Sequence, residues 1–327
     1  MAELVAAVPA VLAADQAEPR YNEALQAAVA ACAEDTEGQT CYICTEAVKE
    51  ETNEGLVSGF CACRGGLSFA HVSCLARQAQ VEVERDALDG WERWHTCRQC
   101  EQGYHGVVRC ALGWACWKAN VGRLEADQIR LLSMMQLGSG LADAGHNLDA
   151  LSVQEAELAT MRRLGSSEPN ILVVQNNLAN TYQMLGRVDE ALPLRRDVYS
   201  GWSKFLGEED KATLRTANNY ASSLLKLERF EEAKELLRKT IPVARRALGE
   251  NDETTLRMRW YSAMALCSGA GVTLDDLREA VTMLEDTERI GRRVLGGAHP
   301  WTMSFENDLR NARAALRARE MPSGGSA

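Results

Sequence analysis

NNLANTYQMLGRVDEAL, residues 176–192, is followed 42 positions later by NNYASSLLKLERFEEAK, residues 218–234. The same shift carries Leu206-Gly207-Glu208 onto Leu248-Gly249-Glu250, and Thr213-Leu214 onto Thr255-Leu256. A shift of 47 continues the pattern, taking Ala233 to Ala280 and Thr255 to Thr302. The five additional residues fall in SGAGVTLDD (268–276), which reads as an enlarged turn. Upstream, LADAGHNLDAL (141–151) with Leu164-Gly165 is a weaker first copy, displaced by one residue. A repeat of this length is the signature of stacked helix pairs, each unable to bury its apolar face without a neighbour.

The residues at fixed register agree with that. Small side chains at Ala179, Ala221 and Ala263, and at Ala191, Ala233 and Ala280, stand where two helices must approach closely. Leu178, Tyr182, Leu194, Leu224 and Leu237 supply the apolar stripe around them. Pro193 is expected in the first turn of its helix, where a missing N–H costs little, and Pro242 deeper, as a kink. TMSFENDLRNARAALRARE (302–320) reads as a closing helix with a charged outer face, and 321–327 as a disordered tail.

The array resembles the tetratricopeptide repeat, in the longer variety of kinesin light chains. LGGAHP (295–300) is close to the signature that ends each pair there, and LGEED (206–210) and LGEND (248–252) are looser copies. The resemblance implies an all-α solenoid over 127–320 whose concave face binds a protein or peptide ligand. It also implies that asparagines on the first helix of each pair contact the ligand backbone. Asn177, Asn180 and Asn219 match those positions, with Arg215 and Arg257 facing the same groove; in the next copy Tyr261 replaces the asparagine.

The other half of the chain is marked by cysteine. Of eleven, seven lie between Cys41 and Cys100, two follow at Cys110 and Cys116, and Cys32 and Cys267 stand apart. The chain reads Cys41-x2-Cys44, sixteen residues, Cys61-x-Cys63, seven residues, His71-x2-Cys74, twenty-two residues, Cys97-x2-Cys100. These are four ligand pairs, each spaced to grip one ion from two sides. Thiolate and imidazole are ligands that Zn2+ prefers, and eight of them close two four-ligand spheres with no position left for a reactive water. In a chain without a secretory leader, metal is the better reading than a disulfide framework or redox cysteines.

This spacing resembles the RING-variant (RING-CH, C4HC3) finger of E3 ubiquitin ligases, and FAHVSC (69–74) is similar to that family's aromatic-x-His-x2-Cys segment. The PHD finger, also C4HC3, spaces its second pair more widely and its histidine more closely. The RING-CH resemblance implies a small zinc-stapled α+β domain over 39–106, holding two structural Zn2+ in a cross-brace. Cys41, Cys44, His71 and Cys74 would hold one ion, and Cys61, Cys63, Cys97 and Cys100 the other. It also implies contact with a ubiquitin-charged E2 enzyme through Ile43, just before the second cysteine. Two further family determinants differ: Gln78 stands where a tryptophan is usual, and Glu101 where a basic residue follows the last ligand. Trp91 and Trp94, in the long loop, are candidates to replace the first, and Arg98 lies near the second. His95 and His105 read as packing or surface residues, and Cys110 and Cys116 as small apolar residues of a connecting helix.

Composition is that of ordinary globular protein, with 46% apolar and 25% charged residues. The net charge of −10 argues against non-specific binding to nucleic acid or anionic membrane. No stretch approaches the roughly 20 apolar residues of a membrane span. The N-terminal run carries Glu3 and Pro9 and reads as a loose or helical arm rather than a secretory leader. The expected order is an arm (1–38), the finger (39–106), a tryptophan-rich helical connector (107–126), repeats (127–320) and a tail (321–327), located in the cytosol or the nucleus. The functional expectation is a RING-CH-type ubiquitin ligase selecting substrate through its repeats; the alternative is a non-catalytic zinc-finger and repeat scaffold.

Overall fold

The computed structural model describes residues 10–86 and 89–320; residues 1–9, 87–88 and 321–327, the last of them expected as a disordered tail, lie outside it. The chain divides into two compact units, Met1–Ser167 and Glu168–Ala327.

In the first unit the connector is the core. Helix α3 (Gly106–Asn120) is apolar around most of its circumference, and Val108, Cys110, Leu112, Trp114, Cys116 and Trp117 are all buried. A helix of that composition must be wrapped on most of its sides. Helix α1 (Ala14–Ala31) covers one side with Ala17, Tyr21 and Ala28, so the N-terminal arm belongs to this core. Lys118 of α3 locks it there, 2.7 Å from Glu18 and over the Tyr21 ring. Helix α2 (Val72–Arg85) packs alongside, carrying Cys74 of the finger.

Helix α4 (Gln128–Asp143) packs closely against α3. A Cβ at Gly140 would stand 2.7 Å from the Arg109 carbonyl oxygen, and one at Gly113 3.0 Å from that of Gln136. Two glycines, one on each helix, therefore let the backbones touch. Helix α5 (Asn147–Arg163) packs on α4. The weak first repeat copy thus falls in the same unit as the finger, because α4 buries its other face on the tryptophan helix.

The finger departs from the α+β expectation. Among the described residues there is no strand; antiparallel pairing is reduced to isolated bridges at Lys49–Glu54, Val57–Ala70 and Thr96–Gly103. Each side of the domain is a loop bent around cysteines, leaving too few consecutive residues to pair as a ladder.

The second unit is a succession of helix pairs: α6 (Glu168–Met184) with α7 (Val188–Leu206), α8 (Lys211–Lys226) with α9 (Phe230–Ala247), α10 (Glu253–Cys267) with α11 (Leu274–Val294), and α12 (Pro300–Glu320) closing the row. All six alanines at repeat register are fully buried. The LG punctuation has a physical basis. Gly207, Gly249 and Gly296 take φ of 88°, 90° and 92°, which only glycine adopts readily, and stop α7, α9 and α11. Three residues after the first two, Asp210 and Asp252 accept backbone N–H bonds from Ala212 and Thr254 and cap α8 and α10. The enlarged turn ends in a reciprocal capping box between Thr273 and Asp276.

Pro193 and Pro242 both lie inside helices. Pro193 is the sixth residue of α7 and sits in its second turn, because Gly186 (φ 76°) and the Arg187–Glu190 ion pair start the helix at Val188. Helix α9 runs through Pro242 to Ala247 as one element.

Candidate metal centre and binding cleft

The chain brings all eight sequence-assigned ligands together, in the expected two sets. Cys41, Cys44, His71 and Cys74 form one cluster and Cys61, Cys63, Cys97 and Cys100 the other, with ligand atoms within 4.8 Å of one another in each. Cys63 Sγ lies 3.7 Å from Cys97 Sγ, and His71 Nδ1 lies 3.3 Å from Cys44 Sγ and 3.8 Å from Cys74 Sγ. Zn–S bonds of about 2.3 Å place the corners of a tetrahedron about 3.8 Å apart, so the donor sets fit a zinc ion. His71 is fully buried, and its Nε2 has no hydrogen-bond partner; Nδ1 is the atom turned to the thiols. His95, His105, Cys110 and Cys116 are in neither cluster.

Two of the cysteine pairs are built alike, 56 residues apart. Ile43 N–H donates to Cys41 Sγ and Gln99 N–H to Cys97 Sγ, both at 3.4 Å. Thr45 N–H donates to the Cys41 carbonyl and Glu101 N–H to that of Cys97, at 2.8 and 2.9 Å. Cys41 and Cys97 N–H in turn donate to the carbonyls of Glu46 and Gln102, both at 2.9 Å. Thr45 and Glu101 take φ of 68° and 57°, an uncommon conformation for residues with a side chain. Each loop thus bends so that a backbone donor points at sulfur. Hydrogen bonding by the Cys74 thiol, with help from the backbone at Cys44, His71 and Ile43, holds Cys41 down to about 4. Burial pushes Cys63 up to about 11, and Cys110 on α3 up to about 12. Cys110 is therefore a packed thiol rather than a reactive one.

The E2-type determinants separate. Ile43 projects from its loop and is 37% exposed. Gln78 is half-buried on α2, and Glu101 is exposed. Trp91 and Trp94 do not stand in for the missing tryptophan: both are buried, their rings 6.4 Å apart in a 3-10 segment (Asp89–Trp94) packed on α2. Arg98 is engaged with Glu82 at 2.9 Å.

In the second unit a cleft of about 470 Å3 opens along the first helices of the pairs. Asn180 of α6, Asn219 of α8 and Arg257 of α10 line it, as the sequence suggested; Asn177 and Arg215 do not. One wall is aromatic. Trp260 stacks on Tyr261 at 5.0 Å and meets Trp301 edge-on at 5.6 Å, and Arg257 lies over Trp301 at 4.6 Å. Trp260 Nε1 donates to Asp308 at 2.8 Å and fixes the ring.

The floor includes Arg195 of α7, which sequence reasoning missed. It is 2% exposed and donates to Asn176 Oδ1 (3.1 Å), Asn180 Oδ1 (2.7 Å) and Gln183 Oε1 (3.5 Å). The signal for it was present: at shifts of 42 and 47 its register holds Leu237 and then Leu284, both buried. Trp260 and Trp301 left no such signal, because aromatic residues on a helix read equally well as core.

A family model for the tetratricopeptide repeat matches residues 170–246. No curated protein matches the chain. Among solved structures, a point variant of the nearly identical TPR-like repeats of a putative kinesin light chain from Podosopora anserina is 22% identical, over 68% of this chain and 97% of that one, with a TM-score of 0.49. The unmodified form is 21% identical over the same shares, again at 0.49. BtubC (BKLC) from P. vanneervenii is 14% identical, over 78% of this chain and 94% of that one, at 0.38. No helix among the described residues is long and apolar enough to cross a membrane.

Proposed function

We propose that this chain is a non-catalytic scaffold that holds a protein partner in the cleft of its second unit and is stapled in its first unit by two structural zinc ions. The cleft carries the reading. It is open, it runs across the first helices of three successive pairs, and it presents backbone-binding groups (Asn180, Asn219) beside a fixed aromatic wall. That combination suits an extended polypeptide, with amides for its backbone and rings for its side chains. Within the cleft and the two clusters, no acid–base pair is arranged around a place where a substrate atom could react.

Zinc, when bound, would supply a rigid junction between loops that otherwise share only isolated bridges. Cys41, Cys44, His71 and Cys74 would hold one ion and the other four cysteines the second. What supports this is the closeness of fit to a tetrahedron and the paired N–H···S loops. Closed four-ligand sites leave no coordination position for catalysis.

A ligase reading retains one observation, the exposed Ile43 beside the first cluster. Discharge of ubiquitin from a panel of charged E2 enzymes tests it, with Ile43→Ala as control. The scaffold reading expects no discharge above background from folded protein; discharge that disappears in the control would replace it. The positive test of the scaffold is peptide binding that is lost when the cleft is filled by Ser222→Phe.

A further inference from the structure

The cleft is electrostatically one-sided. Three cations line it, Arg195, Lys226 and Arg257, with no acidic side chain. Residues 168–327 as a whole are balanced, with 23 acidic and 23 basic side chains. Several cations elsewhere in this unit are neutralised at close range, as in Arg229–Glu232 at 2.6 Å, Arg246–Glu209 at 2.7 Å and Arg292–Glu288 at 2.6 Å. A second hollow, on α7, α8 and α9, sets Glu232 and Glu235 against Arg238 and Lys239. In the cleft, by contrast, Lys226 has no acidic partner among the described residues, and Arg257 reaches Glu253 only at 3.7 Å.

Arg195 is the sharpest case. Its partners are three neutral amide oxygens and no carboxylate, and its buried Nε has no partner. Burial draws the guanidinium down to about 10. Taking such a charge out of water without a counter-ion is unfavourable. The fold has a ready alternative in leucine, which occupies this register in the two following pairs. The weakest of its three contacts is with Gln183, whose Oε1 is shared at 3.4 Å with Ser223 Oγ. Gln183 is half-buried and itself lines the cleft.

We propose that Arg195 is a specificity-determining residue for the partner held in the cleft, and that this partner is an acidic polypeptide segment whose Asp or Glu carboxylate supplies the missing counter-charge. The carboxylate enters over Gln183 and exchanges a 3.5 Å amide contact for charge-assisted bonds of about 2.8 Å. Lys226 and Arg257 extend the same preference along the cleft. The inference rests on the reading of the cleft as a partner-binding groove.

The test selects a random peptide library displayed against the intact, zinc-loaded chain. Enriched sequences are then synthesised and titrated by fluorescence anisotropy against wild type, Arg195→Leu, Arg195→Gln and Ser222→Phe. Leucine is the residue of the following pairs, and glutamine keeps hydrogen bonding without charge; thermal melts verify that both variants fold. The expected result is enrichment in Asp and Glu, affinity at least tenfold weaker in both Arg195 variants, and no binding to Ser222→Phe. Peptides blocked by Ser222→Phe but without acidic enrichment, or indifferent to Arg195, would overturn the inference and leave the groove standing. If no peptide is blocked by Ser222→Phe, both readings fall.

Discussion

Glu54 closes a gap left by His71. One carboxylate oxygen of Glu54 accepts the backbone N–H of Ser73 at 2.9 Å, in the first turn of α2. His71 occupies the N-cap position of that helix, but its side chain turns to the thiols and makes no cap. A capping group must then come from elsewhere in the chain, and the Lys49–Glu54 bridge delivers it. Glu54 is 5% exposed, and its neighbour Lys49 donates to Ser73 Oγ at 3.0 Å. The carboxylate also meets the positive end of the helix, which favours it further.

Removing that carboxylate should loosen the finger without touching a ligand. Glu54→Ala is expected to lower stability by about 1–2 kcal/mol, the usual range for loss of an N-cap. It should also speed metal transfer to a chelator. Equal melting temperatures and equal chelation rates for variant and wild type would show that the cap is idle.

Metal content gives the most direct check of the two clusters. Protein purified without chelator should carry two equivalents of zinc by elemental analysis, and Cys61→Ser one. Cys110→Ala should retain both, since Cys110 is packed inside α3 away from either cluster. Full occupancy in Cys61→Ser would contradict the two-site arrangement. Exhaustive chelation should unfold the finger (39–106), because only isolated bridges pair its loops.

The repeats were the most legible part of the sequence, because helix pairs obey a fixed register and their punctuation uses residues with one conformational purpose, such as Gly207 and Asp210. The four cysteine and histidine pairs were legible through spacing, and their grouping into two sets came from the RING-CH resemblance. What spacing could not convey was tertiary. The tryptophan helix looked like a connector, since nothing local says that an apolar helix will be wrapped by α1 and α4. Trp91 and Trp94 looked available to a partner, and their burial on α2 depends on a fold that the loop sequence does not reveal. Asn177 and Arg215 matched the groove pattern in sequence, yet they stand outside the cleft, about one helical turn from Asn180 and Asn219, which line it.

Glu157 on α5 should make the chain's stability depend on pH in an unusual direction. It is 1% exposed, and neither carboxylate oxygen has a hydrogen-bond partner. Burial pushes its carboxyl from about 4.5 up to about 8. The folded state therefore holds a proton that the unfolded chain releases near 4.5. The protonated carboxyl is tolerated at low pH, and stability attributable to this residue falls as pH rises from about 4.5 through about 8. Glu157→Gln, neutral and of the same shape, should be more stable than wild type at pH 9 by on the order of 2–4 kcal/mol, and similar to it at pH 4.5. Denaturant titrations at the two pH values measure this. A constant difference between the proteins would place a solvating partner on Glu157.

Asn218 is the repeat equivalent of Asn176, 42 residues on, and the two fare differently. Asn176 accepts from Arg195. Asn218 is fully buried and both of its amide atoms lack a partner, while the register that holds Arg195 in the preceding pair holds Leu237 in its own. The polar pair is complete in one repeat and half present in the next, which leaves a desolvated amide against an apolar core. Replacing it with a side chain of similar volume removes the desolvation penalty and adds apolar burial. Asn218→Leu should therefore stabilise the second unit by about 1–3 kcal/mol. The matched substitution Asn176→Leu should destabilise it, since it strips a partner from a buried guanidinium. Opposite signs from the same chemical change, read as shifts in denaturant midpoint, would confirm that Arg195 alone separates the two positions; equal signs would mean that Asn218 has a partner of its own.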